Sequence, residues 1–128
     1  MARLTIHNPD NDAHFMRIKP VAAKVRIRRG DALLAESNSA LRLLETGRDV
    51  YDPVIYVPEA DVLGPLESVA EKSTHCPLKG DASYFAFGGE EIAWSYDRPL
   101  DIARQLHGHI AFYPDKVTIE EVGRNAQL

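Results

Sequence analysis

Ala82-Ser83-Tyr84-Phe85-Ala86-Phe87-Gly88-Gly89-Glu90-Glu91-Ile92-Ala93-Trp94-Ser95-Tyr96 reads as a β-hairpin. Two runs rich in aromatic residues flank Gly88-Gly89, and paired glycines accept the positive φ that a two-residue turn requires at both central positions. Alternation with period two sets Ser83, Phe85 and Phe87 on one face against Tyr84 and Ala86, and puts Trp94 and Tyr96 together against Ala93 and Ser95. Downstream, Pro99 to Leu106 is expected to form one short helix, with Pro99 near its start and Gly108 just past its end. His109 to Tyr113 and Lys116 to Glu120, joined by Pro114-Asp115, read as a last hairpin before a polar tail at 123–128.

Upstream, Val54-Ile55-Tyr56-Val57 lies between Pro53 and Pro58 as a short strand, and Pro58-Glu59-Ala60-Asp61 resembles a helical turn opened by proline. Val25 and Ile27, then Leu33 and Ala35, alternate on either side of Arg29-Gly30-Asp31 and predict another hairpin. Residues 40–45 stay open, because Ser37-Asn38-Ser39 suits a helix cap while a strand buries the same leucines. Residues 1–22 carry the turn-forming cluster Asn8-Pro9-Asp10-Asn11-Asp12 without a sustained period, and are expected to be a loosely held arm. Short strands at this spacing predict a mainly β fold: a compact antiparallel domain over 23–122 with one or two short helices.

The 128 residues suit one domain with an ordinary core. A single cysteine, Cys76, allows no internal disulfide and no four-cysteine zinc site, and fits a reducing compartment. No stretch approaches the roughly 20 apolar residues of a membrane helix, and Met1-Ala2-Arg3-Leu4-Thr5-Ile6-His7 lacks the apolar run of a signal peptide, so the expected location is the cytoplasm. The net charge of -4 opposes a broad nucleic-acid-binding surface. The basic cluster Lys24, Arg26, Arg28 and Arg29 alternates with Val25 and Ile27, the pattern of a half-buried strand with one solvated face.

Chemistry concentrates in Ser73-Thr74-His75-Cys76-Pro77-Leu78-Lys79-Gly80-Asp81-Ala82-Ser83-Tyr84, read as a polar loop between two strand-like regions. A thiol, an imidazole, an ammonium and several hydroxyls gathered in one place need partners wherever they are buried. Cys76 is a candidate nucleophile if a neighbouring cation favours its thiolate. His75 is a poor base for it, since adjacent residues of an extended segment point apart, which leaves His107 or His109 to approach from elsewhere. Lys79 before Gly80 suits a point contact to an anion, or equally an ion pair with a carboxylate such as Glu45 or Asp61; no phosphate-binding glycine loop is present. Tyr56, Tyr84, Trp94, Tyr96 and Tyr113 supply amphipathic rings able to wall a cavity. His107-Gly108-His109 is too sparse to specify a metal site.

Val25-Arg26-Ile27, Ala35-Glu36-Ser37, Tyr56-Val57-Pro58-Glu59-Ala60-Asp61-Val62, Thr74 to Tyr84, Ala93-Trp94-Ser95-Tyr96 and His109-Ile110-Ala111-Phe112-Tyr113 occur in this order. Together they resemble the domain of unknown function 427 family, over residues from about 18 to 120. The resemblance implies a β-tent-like fold, similar to that of B-type methionine sulfoxide reductases and of the thalidomide-binding domain of cereblon. Those relatives hold zinc between paired cysteines, whereas this chain has one cysteine, so side-chain packing is expected to replace the metal. The family is nominally nucleotidyltransferase-like, a label to which no residue here attaches a mechanism. Leu78 stands where the family is expected to carry an aromatic.

The leading expectation is a domain that binds a small anionic or heterocyclic molecule, without metal or cofactor. Tyr56, Tyr84, Trp94 and Tyr96 wall the pocket, and Thr74, His75, Lys79 and Ser83 supply its polar groups. The rival is a thiol-dependent or group-transfer enzyme with Cys76 as nucleophile, His75 or His109 carrying a proton and Lys79 stabilising charge. A third reading is a subunit of a larger assembly, a homodimer included, joined through a strand edge or the N-terminal arm.

Overall fold

A computed structural model describes residues 5–123. Its strands are β1 (Thr5–Asn8), β2 (Asn11–Pro20), β3 (Lys24–Arg29), β4 (Ala32–Ser37), β5 (Leu41–Thr46), β6 (Val54–Pro58), β7 (Glu67–Cys76), β8 (Gly80–Phe87), β9 (Glu90–Pro99), β10 (His109–Phe112) and β11 (Thr118–Val122). Two 3-10 segments, Glu59–Asp61 and Asp101–Leu106, are the helical elements seen among the described residues. One sheet has eight strands in the order β1-β2-β5-β6-β10-β9-β8-β7, and a second has three in the order β11-β3-β4. All pairings between these strands are antiparallel, so the protein is mainly β with almost no helix.

The central strands of the large sheet are apolar on both faces, which is why Val54-Ile55-Tyr56-Val57 and Ile110-Ala111-Phe112 read as continuous runs. Ile55, Val57, Ile110, Phe112 and Ala93 enter one core, closed by Val25, Ile27, Leu34 and Ala35 of the small sheet. Tyr56, Ala111, Leu43, Met16 and Ile18 face the other way into a second core. That second core is closed by Leu78, from the turn between β7 and β8, and by Ala103 and Leu106 of the 3-10 segment. Leu78 and Leu106 are fully buried, so a turn and a single 3-10 segment do the work of a covering layer.

Several expectations hold. Gly88 and Gly89 have φ of 60° and 84°, and Phe87 pairs with Glu90 around them. Gly30, with φ of 57°, turns β3 into β4. Of the two alternatives open for residues 40–45, the strand is the one formed, as Leu41–Thr46, and the serine cluster makes a turn in place of a helix cap: Ser37 Oγ accepts from the Ser39 N–H and donates to Asp61.

Others are corrected. The described part of the supposed arm, from Thr5, is a hairpin whose second strand pairs with β5; Asn8 Oδ1 accepts the Asp10 N–H and closes the turn. The stretch 73–84 is not a loop but the end of β7, a turn at Pro77-Leu78-Lys79 and the start of β8. The helix expected over Pro99–Leu106 is a 3-10 segment from Asp101, broken at Ala103 with φ of -115°. The last two strands form no hairpin: β10 has both edges taken by β6 and β9, so the chain crosses at Pro114 and β11 pairs with β3 in the other sheet. Residues 124–128 of the expected tail lie outside the described residues, as do residues 1–4.

Candidate functional site

The large sheet curls until strands distant in its order meet across the second core. The β7–β8 turn carries Lys79 onto β5, where its ammonium donates to Glu45 Oε1 at 2.6 Å. Glu45 continues the inward face of Leu41 and Leu43, and His14 continues that of Met16 and Ile18. The two meet with Nε2 of His14 at 2.8 Å from Glu45 Oε2. Side-chain exposure is 15 % for His14, 13 % for Glu45 and 12 % for Lys79, so the group is largely shielded from water.

Asn8 fixes the sense of this chain. Its Oδ1 is used by the Asp10 N–H, so its amide nitrogen faces His14 Nδ1 at 3.2 Å and donates to it. His14 therefore carries its proton on Nε2 and donates to Glu45. The carboxylate is gripped from both sides, by an imidazole N–H and an ammonium.

Burial alone would push the Glu45 carboxyl up, but Lys79 and His14 outweigh it and hold the pKa below the ordinary value. Burial alone would push Lys79 down, and the Tyr56 oxygen and Glu45 outweigh that and hold its pKa above the ordinary value. The stability tied to Glu45 is therefore complete above the ordinary carboxylate value of 4.5 and is lost as pH falls through its lowered folded value. That tied to Lys79 is complete below 10.5 and is lost as pH rises through its raised folded value. Unfolding free energy measured against pH is expected to fall less steeply at both extremes in a Glu45→Leu/Lys79→Met variant than in the parent.

Aromatic rings continue the site along the same sheet face. The Lys79 ammonium lies over the Tyr96 ring, 5.3 Å from its centroid. Trp94 Nε1 donates to the Tyr56 hydroxyl at 3.3 Å, and the two rings meet edge to face. Tyr113 also packs against the indole, tilted, with centroids 4.9 Å apart. Burial pushes the phenols of Tyr56, Tyr96 and Tyr113 up, so all three stay neutral at neutral pH. Cys76 Sγ joins the group, within 4.8 Å of a nitrogen of His14 and an oxygen of Glu45.

The residues expected in one pocket are thus divided. Cys76, Lys79, Tyr56, Trp94 and Tyr96 share the inner face and the second core or its border. Thr74 and Tyr84 lie farther out on that face, hydrogen-bonded to each other at 2.6 Å, with Lys72 over the Tyr84 ring. His75 and Ser83 point away: His75 Nδ1 meets Asp81 at 2.7 Å, and Ser83 donates to Asp97. The imidazole that reaches Cys76 is His14, not His75, and His109 instead bonds the backbone oxygen of His107. Glu45 is the partner of Lys79, while Asp61 is taken by Ser37.

Among the clefts of the described surface, three stand out. One of about 260 Å³ is lined by Asn8, Asn11, His14, Tyr51 and Pro77 among others, and opens beside the charged group. An apolar one of about 380 Å³ lies along Phe15, Leu44, Glu45, Val50 and Tyr51. The third, about 400 Å³, runs between β1 and the 3-10 segment. None of these three is lined by Tyr56, Tyr84, Trp94 or Tyr96.

Residues 17–123 match the family described as Domain of unknown function (DUF427). The chain belongs to the DUF427 family. Among curated proteins no relative matches it. The span matched to DUF427 contains Glu45, Cys76, Lys79 and the aromatic residues, whereas Asn8 and His14 precede it. The hydrogen-bonded chain therefore joins DUF427 residues to a hairpin largely outside the match. None of the described helices is long and apolar enough to cross a membrane.

Proposed function

We propose that this DUF427 domain binds a small planar heterocyclic molecule bearing negative charge, laid against Trp94 between Tyr84 and Tyr113. The observation that carries the reading is the fixing of Trp94. Its N–H is committed to Tyr56 and its ring is braced by Tyr113, yet the indole stays half-buried, so a rigid aromatic surface is held in place at the border of the core. Lys79 donates a hydrogen bond to Glu45 alone among the described residues, which leaves donor capacity for an anion beside the Tyr96 ring. Lys72, held by Glu91 and stacked on Tyr84, adds a second cation at the outer rim.

Binding is favoured over thiol chemistry because Cys76 has no free base beside it. Both nitrogens of His14 are engaged, by Asn8 and by Glu45, and His75 is on the opposite face. The unpaired thiol fits a reducing compartment such as the cytoplasm.

Trp94 fluorescence and thermal shift against purine and pyrimidine bases, their monophosphates and aromatic carboxylates test the reading. At least one compound is expected to change both signals, to bind ten times or more weakly to Trp94→Ala, and to bind Cys76→Ser unchanged. A panel with no hit, or hits indifferent to Trp94→Ala, would remove the proposed site. Turnover abolished by Cys76→Ser would favour the thiol enzyme.

A further inference from the structure

His14, Glu45 and Cys76 come from β2, β5 and β7, and present an imidazole nitrogen, a carboxylate oxygen and a thiol sulfur within 4.8 Å of one another. We propose that these three side chains bind a thiol-seeking divalent cation of the Zn²⁺ class, with a fourth position open to solvent. The proposal is independent of the ligand proposed for the Trp94 surface.

Donor chemistry and reach agree with this ion. Zinc takes nitrogen, sulfur and carboxylate oxygen at about 2.0–2.3 Å in a tetrahedron, which places ligand atoms roughly 3.5 Å apart. His14 Nε2 and Glu45 Oε2, now 2.8 Å apart, need only separate slightly, and Cys76 Sγ, within 4.8 Å of the other two ligand atoms, needs to close in by at most about an ångström. The 260 Å³ cleft reaches His14 and Pro77, the chain neighbour of Cys76, and is the proposed path of entry.

The surrounding residues meet the second requirement, that each ligand be oriented by a partner. Lys79 holds Glu45 through Oε1 and leaves Oε2, the oxygen facing His14, to ligate. A metal on His14 Nε2 moves the imidazole proton to Nδ1, and Nδ1 then needs an acceptor. Asn8 provides one by turning its amide so that Oδ1 faces the ring. The cost is the hydrogen bond from the Asp10 N–H, which the turned amide no longer accepts. The thiol proton leaves to solvent, so thiolate and carboxylate bring two negative charges to the ion, while Lys79 stays beside Glu45 as a further cation.

Three features distinguish this site from a surface acidic cluster. Its ligands are of three chemical kinds, they are shielded rather than solvated, and they are positioned by strands far apart in sequence.

Titration of the tag-free, reduced protein with Co²⁺, followed by competition with Zn²⁺, is the test. The expected result is one equivalent of Co²⁺ giving a thiolate-to-cobalt charge-transfer band, displaced by Zn²⁺. Cys76→Ser is expected to lose that band, and both Cys76→Ser and His14→Gln are expected to bind at least tenfold more weakly. Asn8→Asp, which offers Nδ1–H a permanent acceptor, should bind about tenfold more tightly. Because unfolding cannot tighten a site built by folding, that gain keeps the test decisive even if another variant folds poorly. Absence of the charge-transfer band, affinity within twofold of the parent in Cys76→Ser or His14→Gln, or no gain in Asn8→Asp would overturn the proposal.

Discussion

Gly80→Ala is expected to cost about 3 kcal/mol or more of folding stability. Gly80 has φ of +115°, where side-chain-bearing residues are strained. A Cβ there would also lie 2.6 Å from Arg98 O and Leu100 N and 2.8 Å from Pro99 Cα, all of them backbone atoms that cannot swing aside. Relief requires β8 to part from β9 beside the turn whose Lys79 oxygen accepts the Leu100 N–H. Leu78 would then leave the second core and Lys79 would leave Glu45. Gly30→Ala makes the control, since it also has positive φ, of 57°, but its added Cβ meets nothing within 4 Å. Urea unfolding should show Gly80→Ala losing stability well beyond Gly30→Ala; equal losses would mean that the turn is not clamped against β9.

Glu45→Ala should cost about 3 kcal/mol, because it strands two shielded donors at once. The Lys79 ammonium and the His14 Nε2–H both lose their acceptor, in a site where neither side chain is more than 15 % exposed. Removing both charges while keeping volume is a different matter. Glu45→Leu/Lys79→Met should be more stable than Glu45→Ala, since it leaves no unpaired ion and two apolar side chains border Met16 and Leu43. A double-mutant cycle on these positions checks it. If Glu45→Ala cost less than about 1 kcal/mol, the ion pair would be a surface contact rather than a staple across the curled sheet.

The strands were legible where two physical signals coincided. Gly88-Gly89 combined turn chemistry with alternating aromatics on both sides, and the structure puts the hairpin there. β2 was hidden because its alternation rests on Met16 and Ile18 alone, too short a pattern to outweigh the polar residues before it. The crossing to β11 was unreadable for another reason: Pro114-Asp115 marks a turn, but which edge the next strand joins depends on β6 having already taken the free edge of β10.

The candidate site was legible in its types but not in its membership. Trp94 and Tyr96 sharing a face follows from period two, and so does the separation of His75 from Cys76. Glu45 was one of the two carboxylates named as partners for Lys79, but its place at the end of the Leu41 and Leu43 face could be read only once residues 41–46 were known to be a strand. His14 stands likewise ahead of Met16 and Ile18, but reading the segment as an arm concealed it. What brings His14 to Cys76 is the curl of the large sheet, and curl comes from packing around Leu78 and Leu106 rather than from any local pattern.

The convergence of the β7–β8 turn with β2 and β5 is the claim on which the rest depends, and a nuclear Overhauser spectrum of the reduced protein measures it directly. Cross-peaks are predicted between the His14 ring protons and the Cys76 β-protons, whose ligand-type atoms lie within 4.8 Å, and between the Trp94 and Tyr56 rings. A spectrum with the Trp94 and Tyr56 peaks but none between His14 and Cys76, although both residues are assigned and sharp, would contradict the account.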